Sequence, residues 1–294
     1  MFNLGEYNTL TAIRFKEQGC YVGDESQVDS ETGGVLLPNQ YVPDGLKIGD
    51  EVEVFIYHDS DDRLVATTQK PHVVLHQFAP LKVLDVTGVG VFMDWGLMKN
   101  LFVPFAEQGR EPMRVGDTHV IFLYIDTETS RLVGSAAIEG ILDNEDITVK
   151  DGDEVDLMVY RESPLGYMAI INNENIGLIF RSDTFQPIKI GETCKGWIKK
   201  VRDDGKIDLA LHRQGHLAIE ENAQILLDIL KAKGGHMPFT DKSDPQQIRA
   251  VLNMSKKNFK KAVGNLYKQR IIELKADGIH LATAIPPREN NSPK

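Results

Sequence analysis

The sequence predicts a multidomain, mainly β chain: three tandem five-stranded β-barrels followed by an α+β winged helix-turn-helix. Three observations point there. One phrase of strands and turns recurs three times, the signature of a repeat architecture. The hydrophobic period switches from two to near 3.6 after Gly215, so helices replace strands. The formal net charge of −10 hides a gradient: residues 217–294 hold 13 Lys/Arg against 8 Asp/Glu, while residues 1–216 hold 20 against 35. The chain passes from acidic to basic, and a polyanion is drawn to its C-terminal half.

The repeated phrase is an apolar triplet, a spacer, an apolar-Gly-acidic signal, a strand, a polar turn and a second strand. Its first copy is Val35-Leu36-Leu37-Pro38, Ile48-Gly49-Asp50, a strand over 52–56, the turn 59–63 and a strand over 64–67. The second is Leu101-Phe102-Val103-Pro104, Val115-Gly116-Asp117, a strand over 120–125, the turn 126–130 and a strand over 131–134. The third is Gly177-Leu178-Ile179-Phe180, Ile190-Gly191-Glu192, a strand over 196–198, the turn 202–205 and a strand over 206–211. The repeated glycines stand 67 and 75 positions apart, the length of one small barrel. Upstream of each phrase lies a strand pair with Gly near its turn: 10–15 with 20–22, 79–86 with 90–94, and 155–160 with 166–171. Five short strands per unit, split by Gly and Asp/Asn turns, predict a partly open Greek-key barrel. The implied domain limits are 1–71, 72–143 and 144–216.

The C-terminal part reads as helices. Ile219, Ala223, Leu226 and Leu230 mark one helical face, and Gly234-Gly235 closes that helix. Asp244, with Pro245 at the first helical position and Gln247 behind it, opens a second helix in a capping-box pattern. Its inner face is Ile248, Val251 and Leu252. Ser255 caps a third helix with Phe259, Val263 and Leu266 inward. Residues 271–274 and 279–281 flank Asp277-Gly278, a hairpin signal. Three helices and a two-stranded wing make a winged helix-turn-helix over 217–285. The polar tail 286–294 is expected to be disordered.

Two constellations suit a polyanion. At 100° per residue, Lys256, Lys257, Lys260, Lys261 and Lys268 fall on one side of the third helix, opposite its apolar face. No acidic residue lies between Asp244 and Glu273. Lysine is a point charge that fits phosphates. Asn258, Asn265, Gln269 and Arg270 are the side chains there suited to reading base edges. The third repeat combines Tyr160, Tyr167 and Phe180 with Lys195, Lys199, Lys200, Arg202 and Lys206. Aromatics on a barrel face offer stacking surfaces to bases while neighbouring cations hold phosphates. The competing readings are a core role for each aromatic and a merely solvated role for the lysine face.

The order of elements resembles that of the RNA-binding S1-type domain, an OB-fold barrel, most clearly in the second repeat. There Val89-Gly90-Val91-Phe92-Met93-Asp94-Trp95-Gly96 is similar to the family's G-x-F-V-D-hydrophobic-G strand, and residues 101–108 to its third strand and following turn. The resemblance implies base stacking by an aromatic on the second strand and a His or aromatic on the third. It also implies a backbone contact by a basic residue at the start of the fifth. It thereby implicates Tyr21 and Arg63 in the first repeat, Phe92 and Arg131 in the second, and Tyr167, Phe180 and Lys206 in the third. Pro38 and Pro104 stand where the family carries its third-strand His, so the acidic first barrel reads as degenerate.

The whole arrangement resembles the conserved virulence factor B family of bacterial RNA-binding regulators. The likeness lies in Gly177-Leu178-Ile179-Phe180, Phe185-Gln186-Pro187-Ile188-Lys189-Ile190-Gly191, Asp203-Asp204-Gly205-Lys206-Ile207-Asp208 and Met254-Ser255-Lys256-Lys257-Asn258-Phe259-Lys260-Lys261-Ala262. It implies RNA binding, a post-transcriptional role and a link to virulence regulation.

Signatures of catalysis are absent. No GxxxxGK[ST], HExxH or GxSxG occurs. Gly88, Gly90 and Gly96 read as turn glycines. Cys20 and Cys194 belong to no cluster and read as small buried hydrophobes. The pairs His72/His76 and His212/His216 have no third ligand nearby in sequence. We therefore expect no enzyme activity, no cofactor and no metal. No apolar run approaches the ~20 residues of a membrane span, and Met1 to Leu10 lacks a secretory pattern, so a cytoplasmic protein without membrane contact is expected. The leading expectation is binding of single-stranded RNA, with low sequence specificity, through the third repeat and the winged helix. The alternatives are a DNA-binding transcriptional regulator acting through the winged helix, and a protein adaptor, ribosome-associated, whose acidic first barrel docks on a basic partner.

Overall fold

A computed structural model describes residues 2–28, 33–110, 112–184, 187–211, 216–252 and 254–282, with backbone alone at Gln27 and 216–221. Phe185, Gln186, His212, Gly215 and the tail 286–294 lie outside the described residues, as does the side chain of Ile219. The chain forms two compact units, residues 1–148, 157–177 and 189–193 in one, and 149–156, 178–188 and 194–294 in the other.

In the first unit, β1 (Tyr7–Lys16), β2 (Gly19–Gly23), β3 (Val35–Pro38), β4 (Glu51–His58) and β5 (Leu64–Thr67) close into a barrel in the order β1-β2-β3-β5-β4. A parallel contact of Leu36 with Val65 seals it. The next sheet comprises β6 (Phe78–Val86), β7 (Gly90–Asp94), β8 (Leu101–Pro104), β9 (Thr118–Ile125) and β10 (Leu132–Ser135), ordered β10-β9-β6-β7-β8, with no ladder joining its ends. A short helix, α1 (Ile138–Ile141), follows; the sequence shows no cap or periodicity for it. The third sheet, β11 (Glu154–Ser163), β12 (Gly166–Ile171), β13 (Asn175–Phe180), β14 (Thr193–Val201) and β15 (Ile207–Ala210), is again a closed barrel, whose strands are divided between the two units. Three five-stranded barrel-like sheets thus stand where three were expected.

The repeated Gly-acidic phrase has one physical cause. Gly49, Gly116 and Gly191 have φ of +92, +93 and +82°, in the left-handed region that favours glycine. The acidic residue after each accepts a hydrogen bond from the backbone N–H three positions earlier: Asp50 from Lys47, Asp117 from Arg114 and Glu192 from Lys189. The glycine turns the chain, and the carboxylate holds the turn ahead of the fourth strand. A second recurrent device is invisible in the sequence. β1, β6 and β11 each slip register against the next strand, between Ala12 and Arg14, Val83 and Asp85, and Val159 and Arg161, bending the strand around its barrel.

The fourth strand of the first barrel is buried on both faces. Val54 and Ile56 fill the barrel, while Phe55 and Tyr57 pack into the core of the next. There they meet the ring of Trp95 edge-on, at centroid distances of 5.8 and 6.1 Å. Burial raises the Tyr57 phenol to about 12. The second barrel repeats the device. Ile121 and Leu123 of β9 face inward, while Val120 and Phe122 join Phe78, Ile138 and Leu142 against Ile170 and Met158. Glu139 of α1 sits at this junction, bonded by Arg161 and Tyr160 and ion-paired to Arg110. Burial opposes ionisation of Glu139, but the hydrogen bond and charge of Arg161, helped by Arg110, outweigh it and hold the carboxyl below its ordinary range.

In the second unit, α2 (His216–Ala232), β16 (His236–Met237), α3 (Pro245–Leu252), α4 (Lys256–Lys268), β17 (Ile272–Lys275) and β18 (Gly278–Leu281) make the winged helix-turn-helix. Leu226, Leu230, Ile248, Leu252, Phe259, Leu266 and Ile279 form its core. Asp244 accepts from the Gln246 N–H, and Ser255 Oγ from the Asn258 N–H, so both expected caps form. Two expectations are corrected. The wing sheet has three strands, β16-β18-β17, because the two-residue β16 is too short for any periodic pattern. Val251, expected inward, is 40% exposed, the packing having been taken by its neighbours Ile248 and Leu252. Among the described residues no helix is long and apolar enough to cross a membrane.

Removing the junction carboxylate is expected to be costly. Glu139→Gln should destabilise the chain by about 1–2 kcal/mol at neutral pH, between the values for exposed and buried pairs. Because its native carboxyl is held low, this contribution is complete above the ordinary carboxylate range and is lost as pH falls through the lowered value. Denaturant unfolding of wild type and variant at neutral and acidic pH checks both points.

Candidate nucleic-acid interface

Three surfaces carry the residues singled out in the sequence. On the third barrel, Phe180 ends β13 and is half-buried, beside the β14–β15 hairpin. Lys199 Nζ stands 5.5 Å and Arg202 Cζ 5.9 Å from its ring centroid. A register shift between Ile198 and Lys200 interrupts the strand alternation, so consecutive Lys199 and Lys200 are both exposed. The positive charge here is mostly matched. Lys199 pairs with Asp183 at 2.7 Å, Lys195 with Asp156 at 2.8 Å, and Lys206 with Asp204 at 2.8 Å. Arg202 grips both oxygens of Asp208, at 3.0 and 2.7 Å. Only Lys200 of this group has no carboxylate partner among the described residues.

Two aromatics leave the expected stacking set. Tyr167 is 4% exposed and forms part of the barrel wall. Tyr160 packs at the junction with the second barrel and donates its hydroxyl to Glu139. Burial, and then the Glu139 charge, push its phenol well up. The β11 bulge adjoins Tyr160 and cannot be read from residue order.

The second surface is a cleft of about 290 Å³ where the first two barrels meet. Its aromatic wall is Phe92 of β7 and Phe102 of β8, directly opposite each other with centroids 5.3 Å apart. Its cations are Lys99 and Arg131, both paired with Asp62 of the first barrel. His58 also lines it, and its Nδ1 is buried with no hydrogen-bond partner among the described residues. Burial, then the nearby Lys99 charge, lower its pKa and favour neutral imidazole. Phe92 and Arg131 were expected here; Lys99, Phe102 and His58 were not. Phe102 carried a legible signal, since it occupies the second position of an apolar triplet whose neighbours point inward. Lys99 and His58 gave none, because the cleft needs two barrels. In the first barrel the Tyr21 ring is covered by Arg14 at 4.0 Å, and Arg63, though exposed, is charge-matched by Asp59 and Asp61.

The third surface is α4. Lys257, Lys260, Lys261 and Lys268 are exposed and have no carboxylate partner among the described residues, whereas Lys256 is half-buried and donates to the Ser243 carbonyl. Gly264 lies within this stripe, and a Cβ there would meet nothing within 4 Å. The bare helix backbone is thus open to a close-approaching partner. Tyr267, 56% exposed, flanks it. Gln269 donates to Asn265, so two of the four candidate base readers are engaged with each other.

Comparison with known proteins bears on these surfaces. Residues 224–281 match the CvfB-like winged helix domain, and residues 4–69 match the S1 domain. Conserved virulence factor B from Staphylococcus aureus strains USA300 and NCTC 8325 / PS 47 is in each case 29% identical over 245 residues, 81% of this chain and 81% of theirs. Over most of its length the chain is similar to conserved virulence factor B. The S1 match falls on the acidic first repeat, which lacks the third-strand His, and the second repeat, whose strand motif is the more S1-like, has no such match among these. A solved Streptococcus pneumoniae TIGR4 structure, described as a multidomain protein with nucleic acid binding domains, is 25% identical with a TM-score of 0.45, covering 95% of this chain and 98% of that one. The S1 and CvfB-like winged helix domains mark a nucleic-acid-binding chain.

If the cleft stacks bases, Phe102→Ala weakens binding of a single-stranded oligonucleotide by about 1–3 kcal/mol, the value of one stacked base. Fluorescence anisotropy with a labelled oligonucleotide, alongside circular dichroism to confirm folding, measures this.

Proposed function

We propose that this chain is a non-catalytic, cytoplasmic RNA-binding protein that holds single-stranded RNA with little sequence preference and regulates gene expression after transcription. The observation that carries the reading is the α4 surface: four exposed lysines without carboxylate partners, on a helix with no acidic residue. Each can neutralise a phosphate without first breaking an ion pair, and none presents the forked donors that read a base edge. The paired cations of the third barrel serve secondarily. Exposed ion pairs are worth at most about 1 kcal/mol, so a phosphate can displace Asp183 from Lys199. The Phe92–Phe102 cleft supports a single strand, whose bases can unstack and enter it, over a duplex. The proposed domain limits remain 1–71, 72–143, 144–216 and 217–285.

Replacing Lys257, Lys261 and Lys268 together with Ala should reduce the log–log salt slope of RNA binding by about 2, at roughly 0.7 per lost phosphate contact. Replacing Lys195 and Lys206 together should change it by less than half as much. Competition between single-stranded RNA and duplex DNA at one fixed salt concentration tests the ligand. RNA is expected to win; a clear preference for duplex DNA would instead favour a transcriptional regulator acting through the winged helix.

A further inference from the structure

Independently of the residues of these surfaces, the wing sheet gathers three side chains with the geometry of a coordination site. β16 runs antiparallel to β18, and its register sets His236 directly opposite His280. The approach is tight. Gly278 has φ +141°, and a Cβ there would lie 2.1 Å from the Met237 carbonyl oxygen, so glycine lets the hairpin close on β16. The two imidazole rings stand 4.4 Å apart, centroid to centroid. Asp277, in the turn between β17 and β18, turns its carboxylate toward both. Oδ1 is 3.0 Å from His280 Nε2, and Oδ2 is 3.7 Å from His236 Nε2. One donor atom from each of the three residues lies within 4.8 Å of the others.

We propose that His236, Asp277 and His280 bind a divalent transition-metal cation of the zinc class. Two imidazole nitrogens and one carboxylate oxygen suit zinc, nickel or copper better than calcium or magnesium, which favour all-oxygen shells. Tetrahedral zinc with ligands at ~2.0–2.2 Å sets neighbouring ligand atoms roughly 3.3 Å apart. The His280 Nε2–Asp277 Oδ1 separation of 3.0 Å is close to that value, and the three donor atoms, all within 4.8 Å of one another, need draw in only by side-chain rotation of the exposed His236 and Asp277. The ion takes the place of the hydrogen between His280 and Asp277. His236 and Asp277 are 42% and 63% exposed, so the ion can enter and a water can complete the shell. Bound metal ties the wing turn to β16 and stiffens the wing. The site rests on the winged-helix fold alone and stands apart from the RNA reading. Ligands 41 and 3 positions apart match no metal motif, which is why sequence scanning passes over them.

The test uses the full chain, without an affinity tag and stripped with chelator. Zn²⁺ is titrated by calorimetry, and Co²⁺ by its visible absorption followed by Zn²⁺ displacement. One equivalent is expected to bind, with affinity reduced about tenfold or more by each of His236→Ala, Asp277→Asn and His280→Ala. The double variants His72→Ala/His76→Ala and His212→Ala/His216→Ala should bind as wild type does. Melting curves of the metal-free variants confirm folding; the exposed His236 and Asp277 keep the test decisive if His280→Ala fails to fold. No saturable Zn²⁺ binding by wild type, undiminished binding by His236→Ala and Asp277→Asn, or loss of binding in either double variant would overturn the proposal.

Discussion

Burial of both faces of β4 is the constraint on which the N-terminal unit depends. A strand in an ordinary small barrel fills the core with one face and meets water with the other. Here Val54 and Ile56 face inward, while Phe55 and Tyr57 close over Trp95 in the following barrel. Each large side chain removed from water contributes roughly 1.5–3 kcal/mol, and the edge-on ring contacts fix the angle of approach. β9 repeats the arrangement with Val120 and Phe122. The cleft lined by Phe92, Phe102, Lys99 and Arg131 follows from this docking, since Asp62 of the first barrel anchors cations of the second. The cleft is a property of a pair of barrels and of neither alone.

The corresponding strand of the third barrel breaks the pattern. Where β4 carries Phe55 and Tyr57 outward, β14 carries Lys195, Trp197 and Lys199, with both lysines exposed. The change from apolar to basic on one strand face marks where barrel stacking gives way to a polar surface. That surface is tempered by Asp156, Asp183, Asp204 and Asp208, so of the three surfaces α4 carries the most unmatched charge among the described residues. For a chain of net charge −10, the local arrangement of cations decides where a polyanion is held, and the sum does not.

The succession of strands and turns along the chain, the caps at Asp244 and Ser255, the Asp277-Gly278 hairpin and the lysine face of α4 were all determined by the sequence. Each rests on contacts between residues near in the chain, whereas the closure of β1 on β4 and of β3 on β5 does not. A glycine with positive φ followed by a carboxylate makes the same turn wherever it occurs, and a 3.6-residue period places Lys257 and Lys261 opposite Phe259 in any helix. The tertiary structure alone decided which aromatics are open and which cations are matched. Tyr167 and Phe180 look alike as letters, yet one is walled in and the other lies beside Lys199 and Arg202. Tyr160 is claimed by Glu139, 21 positions earlier, and His236 meets His280 across a strand pair with 43 residues between them. Such contacts depend on bulges, two-sided burial and strand register. These arise from packing between distant segments, on which local propensity has no hold.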